Sequence, residues 1–195
     1  MRKTTIFTTP LLNSVLHHLA RVWLRLLGWR IVGTPPDVPR YVLIGAPHTS
    51  NWDFFYMLLV CFSLRLPVYW MGKDSLFPWP VGGLMRWLGG IPVDRAKPGG
   101  LVQDTIDAFA REERLIVVIP PEGTRSRVRQ WKTGFYRIAS GAGVPIALGY
   151  LDFRKKEAGL ATLFTPSGDL DADMVKIRSF YSGVVGRNPE LFSAD

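Results

Sequence analysis

Residues 41–53 read YVLIGAPHTSNWD, and how this stretch is taken decides the fold. The run Tyr41 to Ala46 is short, apolar and β-branched, and the Pro-rich break TPPDVP at 34–39 precedes it, so it reads as a buried strand. The polar residues that follow lead into DFFYMLLVCFSLR at 53–65, a long apolar segment that reads as a helix with Ser50 or Asn51 at its N-cap. Ser50-x-x-Asp53 has the form of a capping box. His48 therefore stands on a strand-to-helix turn.

Outward from this point the pattern repeats. Further strands are expected at PVYWM (67–71), IPV (91–93), LIVVI (115–119), PIALGYLDF (145–153) and LATLF (160–164). Helical segments are expected between them near 80–88, 99–112, 133–141 and 170–183. Strands alternating with helices imply an α/β fold, a largely parallel mixed sheet flanked by helices. At 195 residues, with no internal repeat and no long Ser/Gly linker, the chain suits one domain. A composition of 47% hydrophobic and 21% charged residues argues for a packed core rather than disorder.

Ahead of the first strand, Leu12, Val15, Leu16, Leu19, Trp23, Leu26 and Leu27 recur at three- and four-residue steps. The opposite side carries Asn13, Ser14, His17, His18, Arg21 and Arg25. Residues 1–30 are expected to form an amphipathic membrane-associating helix, and 31–195 the remaining α/β domain. A helix packed on the core has the same periodicity. No stretch reaches the roughly 18 to 20 apolar residues that a membrane span needs, and a secretory signal is not expected after MRKTT.

A net charge of +8 and a pI near 9.9 imply an anionic partner. Nucleic acid, acidic headgroups and phosphorylated substrates all satisfy that charge. The chain has no zinc-ligand spacing, RNA-recognition signature or basic recognition helix, so no nucleic acid is expected. The single Cys61 has no partner for an intrachain disulfide.

Three segments carry chemistry. His48 and Asp53 are five residues apart at a strand's carboxyl end, where a carboxylate on one imidazole nitrogen would leave the other free to take a proton. By spacing alone, Asp53 could equally be a helix cap. In IPPEGTRS, Ile119 to Ser126, Gly123 lets main-chain amides approach an anion, Thr124 and Ser126 add hydroxyls, and Arg125 supplies a planar fork for phosphate oxygens. A polar turn with a solvated arginine fits the same residues. In GGIPVDR (89–95) and WMGKDSLF (70–77), Arg95 and Lys73 each follow a strand and point to a basic cleft, or to solvent. Trp52, Trp70, Trp79, Trp87 and Trp131 could line an apolar channel or fill core.

Taken together, HTSNWD at 48–53, GGIPVDR at 89–95, PEGTRS at 121–126 and VPI at 144–146 resemble, in order, the four blocks of the glycerolipid acyltransferase family typified by bacterial 1-acyl-glycerol-3-phosphate acyltransferases. Lys73 resembles the lysine preceding that family's second block. The resemblance spans roughly residues 40 to 150, and departs where the fourth block continues as VPIALGY and where the chain ends soon after RSFYSGVVGRNP. It implies a glycerol-3-phosphate acyltransferase-like fold and a transfer from acyl-CoA or acyl-carrier protein to a lysophospholipid hydroxyl, without an acyl-enzyme. His48 would then be the base and Asp53 its orienting partner, with Glu122, Gly123, Thr124 and Arg125 binding the acceptor and Lys73 and Arg95 assisting. No metal and no cofactor is implied. The expected location is the cytoplasmic face of an anionic membrane, peripheral or monotopic. Two other readings remain open: an enzyme of this fold acting on a non-phosphorylated lyso-lipid or an amine, and a non-catalytic basic module.

Overall fold

The computed structural model describes residues 4–93 and 100–194. Its centre is β2 (Arg40–Ala46), whose alternate side chains enter two different cores. Tyr41 and Leu43 face one way, with Phe62, Leu66 and Val68; Val42 and Ile44 face the other, with Phe109, Phe135, Ile138 and Ile177. A strand buried on both faces has no polar alternation, and this explains the unbroken apolar run YVLIGA.

Seven strands form one sheet in the order β1-β7-β6-β2-β5-β3-β4, comprising β1 (Arg30–Val32), β3 (Val68–Lys73), β4 (Gly90–Val93), β5 (Leu115–Ile119), β6 (Ile146–Asp152) and β7 (Glu157–Phe164) besides β2. From β6 to β4 all neighbours are parallel, whereas β7 runs antiparallel to β6 and β1 pairs parallel to β7. One face is covered by α1 (Pro10–Leu26) and α2 (Trp52–Ser63), the other by α4 (Gly100–Arg111), α5 (Gly134–Ala142) and α6 (Leu170–Tyr181). The short α3 (Val81–Trp87) precedes β4. The sandwich is the α/β fold that the alternating pattern implies. The strand β1, three residues long, is an addition the pattern did not reveal.

Two expectations change. Ser50-x-x-Asp53 closes only half of a capping box: Asp53 Oδ2 accepts from Ser50 N–H at 2.8 Å, but Ser50 Oγ accepts from Trp52 N–H at 3.1 Å, and Asn51 is the N-cap. In α1 the apolar stripe splits. Leu12 and Leu16 turn inward with Ala20, and Leu24 is buried beside Trp29, while Leu11, Val15, Leu19, Val22, Trp23 and Leu26 are exposed. His17 also faces inward, its Nδ1 3.2 Å from the Phe62 carbonyl oxygen. The helix is thus apolar toward the core and apolar again toward solvent, with exposed His18, Arg21 and Arg25 beside the outer strip. Among the described residues no helix is long and apolar enough to cross a membrane.

Candidate active site

In a parallel sheet the carboxyl ends of neighbouring strands open onto one edge, and ligands bind there where the chain reverses its direction across the sheet. Here β2 ends at Ala46 and runs into HTSNWD, its neighbour β5 ends at Ile119 and runs into PEGTRS, β3 ends at Lys73, and β4 ends at Val93. The chain leaves β2 toward β3 on one side and passes from β5 to β6 on the other. Three of the four sequence blocks therefore reach the same edge. The fourth does not: Val144 and Ile146 are buried at the amino end of β6, where Ile146 registers with Val42, so VPI packs the opposite edge.

His48 Nδ1 and Asp53 Oδ2 lie 3.3 Å apart, with the imidazole 27% exposed and the carboxylate 5%. Asp53 Oδ2 also accepts from the main-chain N–H of Thr49 at 2.7 Å and of Ser50 at 2.8 Å. The carboxylate is fixed by the turn it closes, and with Nδ1 directed at it, Nε2 is the ring nitrogen left for a substrate. An imidazole oriented by a buried carboxylate and open to solvent can accept a proton from a bound hydroxyl.

Glu122 lies beneath the His48 turn. It is 1% exposed, and its Oε1 accepts the main-chain N–H of His48 at 2.8 Å. That oxygen is taken up by the turn beneath the imidazole, so Glu122 ties the two blocks together. Burial pushes its carboxyl up from the ordinary 4.5 to about 7; the His48 N–H opposes the shift and the nearby Asp53 charge adds to it. Between these values the folded chain keeps a proton that the unfolded chain releases, so this group's contribution to stability falls as pH rises from about 4.5 to 7. Glu122→Gln keeps the acceptor oxygen without the charge. Its urea midpoint should rise relative to that of the wild type across this window. A difference that stays constant with pH would contradict the assignment.

The rest of PEGTRS is a turn with open polar groups. Gly123 has φ +65°, a left-handed conformation that favours glycine, and its N–H donates to the Pro120 carbonyl at 3.1 Å. Thr124 Oγ1 accepts from Ser126 N–H at 3.3 Å, and Arg125 is exposed. One cation escaped the sequence reading. Lys132 lies over this turn, so close that a Cβ on Gly123 would sit 3.0 Å from its Nζ. It follows Glu122 by ten residues in a run of basic residues, and nothing in its spacing sets it apart. Lys73 is exposed at the carboxyl end of β3. Arg95 lies outside the described residues, just beyond β4. Of the tryptophans, Trp70 and Trp131 are core at 7% and 5% exposure, whereas Trp52 and Trp79 are exposed at 51% and 94%. Among the described residues no group of His, Cys, Asp and Glu could hold a metal ion.

No curated protein sequence matches this chain. Among solved structures, the fold is similar to that of PlsC, the 1-acyl-sn-glycerophosphate acyltransferase from Thermotoga maritima, with a TM-score of 0.59, 15% sequence identity, and 87% of this chain and 78% of that chain covered. The profile of the family described as Acyltransferase matches residues 34–147, which hold β2 to the start of β6 and with them the paired His48 and Asp53 and the PEGTRS turn. The match covers more than half of the 195 residues, and the chain belongs to the Acyltransferase family, as an acyltransferase enzyme.

Proposed function

We propose that the protein transfers a fatty acyl group from acyl-CoA or acyl-carrier protein to the free hydroxyl of a lysophospholipid such as 1-acyl-glycerol-3-phosphate, the acceptor named for the similar Thermotoga maritima enzyme. The observation that carries the reading is the bond from His48 N–H to Glu122 Oε1, which fastens the imidazole's turn to the PEGTRS turn. A hydroxyl-activating group and a cluster of phosphate-binding groups are thereby held side by side.

In this reading His48 Nε2 takes the acceptor's hydroxyl proton as the oxygen attacks the thioester carbonyl carbon. The developing imidazolium is stabilised by Asp53. When the tetrahedral intermediate collapses, the carbon–sulfur bond breaks and the thiol leaves with the proton returned from His48. Gly123, Thr124, Arg125 and Lys132 bind the acceptor phosphate, with Lys73 at the same edge and Arg95 assisting. Guanidinium and phosphate match in geometry, so Arg125 carries the choice of acceptor. Arg125→Ala should lower kcat/KM for lysophosphatidate about tenfold or more while changing turnover of a monoacylglycerol by less than threefold, measured as thiol release. Equal losses on both acceptors would count against phosphate recognition and favour a non-phosphorylated lyso-lipid or amine as the acceptor.

The substrate is a lipid, and the outer strip of α1 is suited to meet it. Leu11, Val15, Leu19, Val22, Trp23 and Leu26 would enter the bilayer interface, with His18, Arg21 and Arg25 at the level of anionic headgroups on the cytoplasmic face. Val15→Asp combined with Leu19→Asp should cut co-sedimentation with phosphatidylglycerol vesicles several-fold while leaving the melting temperature within a few degrees. Undiminished co-sedimentation at equal ionic strength would remove α1 from the interface.

A further inference from the structure

Beyond the segment matched to the family, the chain returns to the catalytic turn from its far end. After α6, residues 183–188 run back across the end of β6: Phe153 N–H donates to the Val185 carbonyl at 2.9 Å, and Arg154 Nη2 to the Gly183 carbonyl at 3.3 Å. Gly186 is buried, and a Cβ there would stand 2.9 Å from Thr49 Oγ1 and 3.0 Å from Pro47 Cβ. The approach brings Asn188 onto Thr49, the residue between His48 and Ser50. Asn188 main-chain N–H donates to Thr49 Oγ1 at 3.2 Å, and its Nδ2 donates to the Thr49 carbonyl at 2.9 Å. Arg187 spans the flank, its guanidinium 5.4 Å from the Trp52 ring and 5.9 Å from that of Phe153.

The two ends of one peptide unit are thus held from opposite directions. The Thr49 carbonyl accepts from Asn188 Nδ2, and the Ser50 N–H across the same planar peptide donates to Asp53 Oδ2, the oxygen that faces His48 Nδ1. An amide polarised at its carbonyl donates more strongly at its N–H, and a peptide bonded at both ends resists rotation. Thr49 is 3% exposed, so water has little access to replace the Asn188 donor.

We propose that Asn188 is a positioning residue for the acyl transfer, acting through the Thr49–Ser50 peptide to hold Asp53 and His48 in their reactive arrangement. The proposal rests on His48 being the general base. Small displacements of a catalytic pair cost rate rather than binding, so Asn188→Ala should lower kcat about tenfold to a hundredfold with the acceptor KM changed less than twofold. Asn188→Asp keeps the side chain's shape and the main-chain N–H on Thr49 Oγ1 while removing the Nδ2 donor, and it should show the same fall even where the alanine variant folds poorly. Tyr136→Phe, which removes a buried bond to Asp173 between α5 and α6, across the sheet from α2, gives the comparison for a loss of stability alone and should keep kcat.

The experiment measures kcat, KM and melting temperature for these three variants with His48→Ala alongside. A fall in kcat for both Asn188 variants, beyond that of Tyr136→Phe, supports the proposal. Asn188→Asp within threefold of wild-type kcat, while His48→Ala is inactive, overturns it and leaves the base assignment standing. If His48→Ala is itself active, the base assignment fails first, and the proposal with it.

Discussion

His48→Ala should abolish acyl transfer to within background, a loss of at least about a hundredfold, while the protein keeps its melting temperature within a few degrees. The size follows from the role: a positioned general base contributes about 10² to 10⁴ in rate, and the other two histidines, His17 and His18, lie on α1, with His17 against Phe62 near the carboxyl end of α2 rather than at the amino end that carries Asp53. The retained stability follows from what the residue contributes to the fold. Its link to Glu122 runs through the main-chain N–H, which alanine also provides, and its side chain is 27% exposed, so truncation leaves no large cavity. Thiol release with saturating donor and acceptor, together with a thermal melt, checks both halves. Residual activity within about tenfold of the wild type would refute the base assignment.

Asp53→Asn is the second large effect, and it isolates charge from shape. The three groups that approach this carboxylate all approach Oδ2: Thr49 N–H, Ser50 N–H and His48 Nδ1. An asparagine with its carbonyl oxygen in that position keeps both main-chain bonds, and its NH₂ falls where Oδ1 is buried with no partner among the described residues. The turn is retained, but the imidazolium of the transition state loses its counter-charge. In hydrolase triads the same change costs about 10⁴ in kcat, and a loss on the order of 10³ is expected here. Asp53→Ala is the contrasting case, because it strips the buried Thr49 N–H of its acceptor, at about 1–3 kcal/mol, and the half-buried Ser50 N–H of its own. It should lose stability as well as rate. An asparagine variant with kcat within tenfold of the wild type would show that Asp53 serves the turn alone.

Much of this architecture was legible in the sequence because its elements announce themselves locally. YVLIGA, LIVVI and PIALGYLDF are buried on both faces and therefore continuous in apolar residues, and the structure places strands at Arg40–Ala46, Leu115–Ile119 and Ile146–Asp152. Arg30–Val32 gave no such signal. It is an edge strand of three residues whose pairing partner, Glu157 to Gly159, lies well over a hundred residues away. The helical period of residues 10 to 26 was visible, but a period cannot say which of two apolar arcs faces the core. Leu24 and Leu26 are alike in type and differ in exposure, 2% against 76%, because only one meets the sheet.

The site divides in the same way. His48 and Asp53 share one turn and so stand in a single block, and the accompanying blocks at 89–95 and 121–126 favoured a catalytic pair over a helix cap. Glu122 was recognised by its block, but its burial under His48 depends on β2 and β5 being neighbours, which no local pattern encodes. Lys132 and Asn188 were missed for the same physical reason. Lys132 reaches the site through a fold-back over Gly123, and Asn188 through a return of the chain 139 residues after Thr49.

The central claim is that this chain joins a thioester's acyl group to a lysophospholipid hydroxyl, using the His48–Asp53 pair. The direct measurement mixes the purified protein with a long-chain acyl-CoA and 1-acyl-glycerol-3-phosphate in anionic vesicles, and follows thiol release and diacylated product by mass spectrometry. The account predicts thiol and product in equal amounts, dependent on acceptor, and absent with His48→Ala. Thiol release that is independent of acceptor, or product formed equally by the His48→Ala protein, would contradict it.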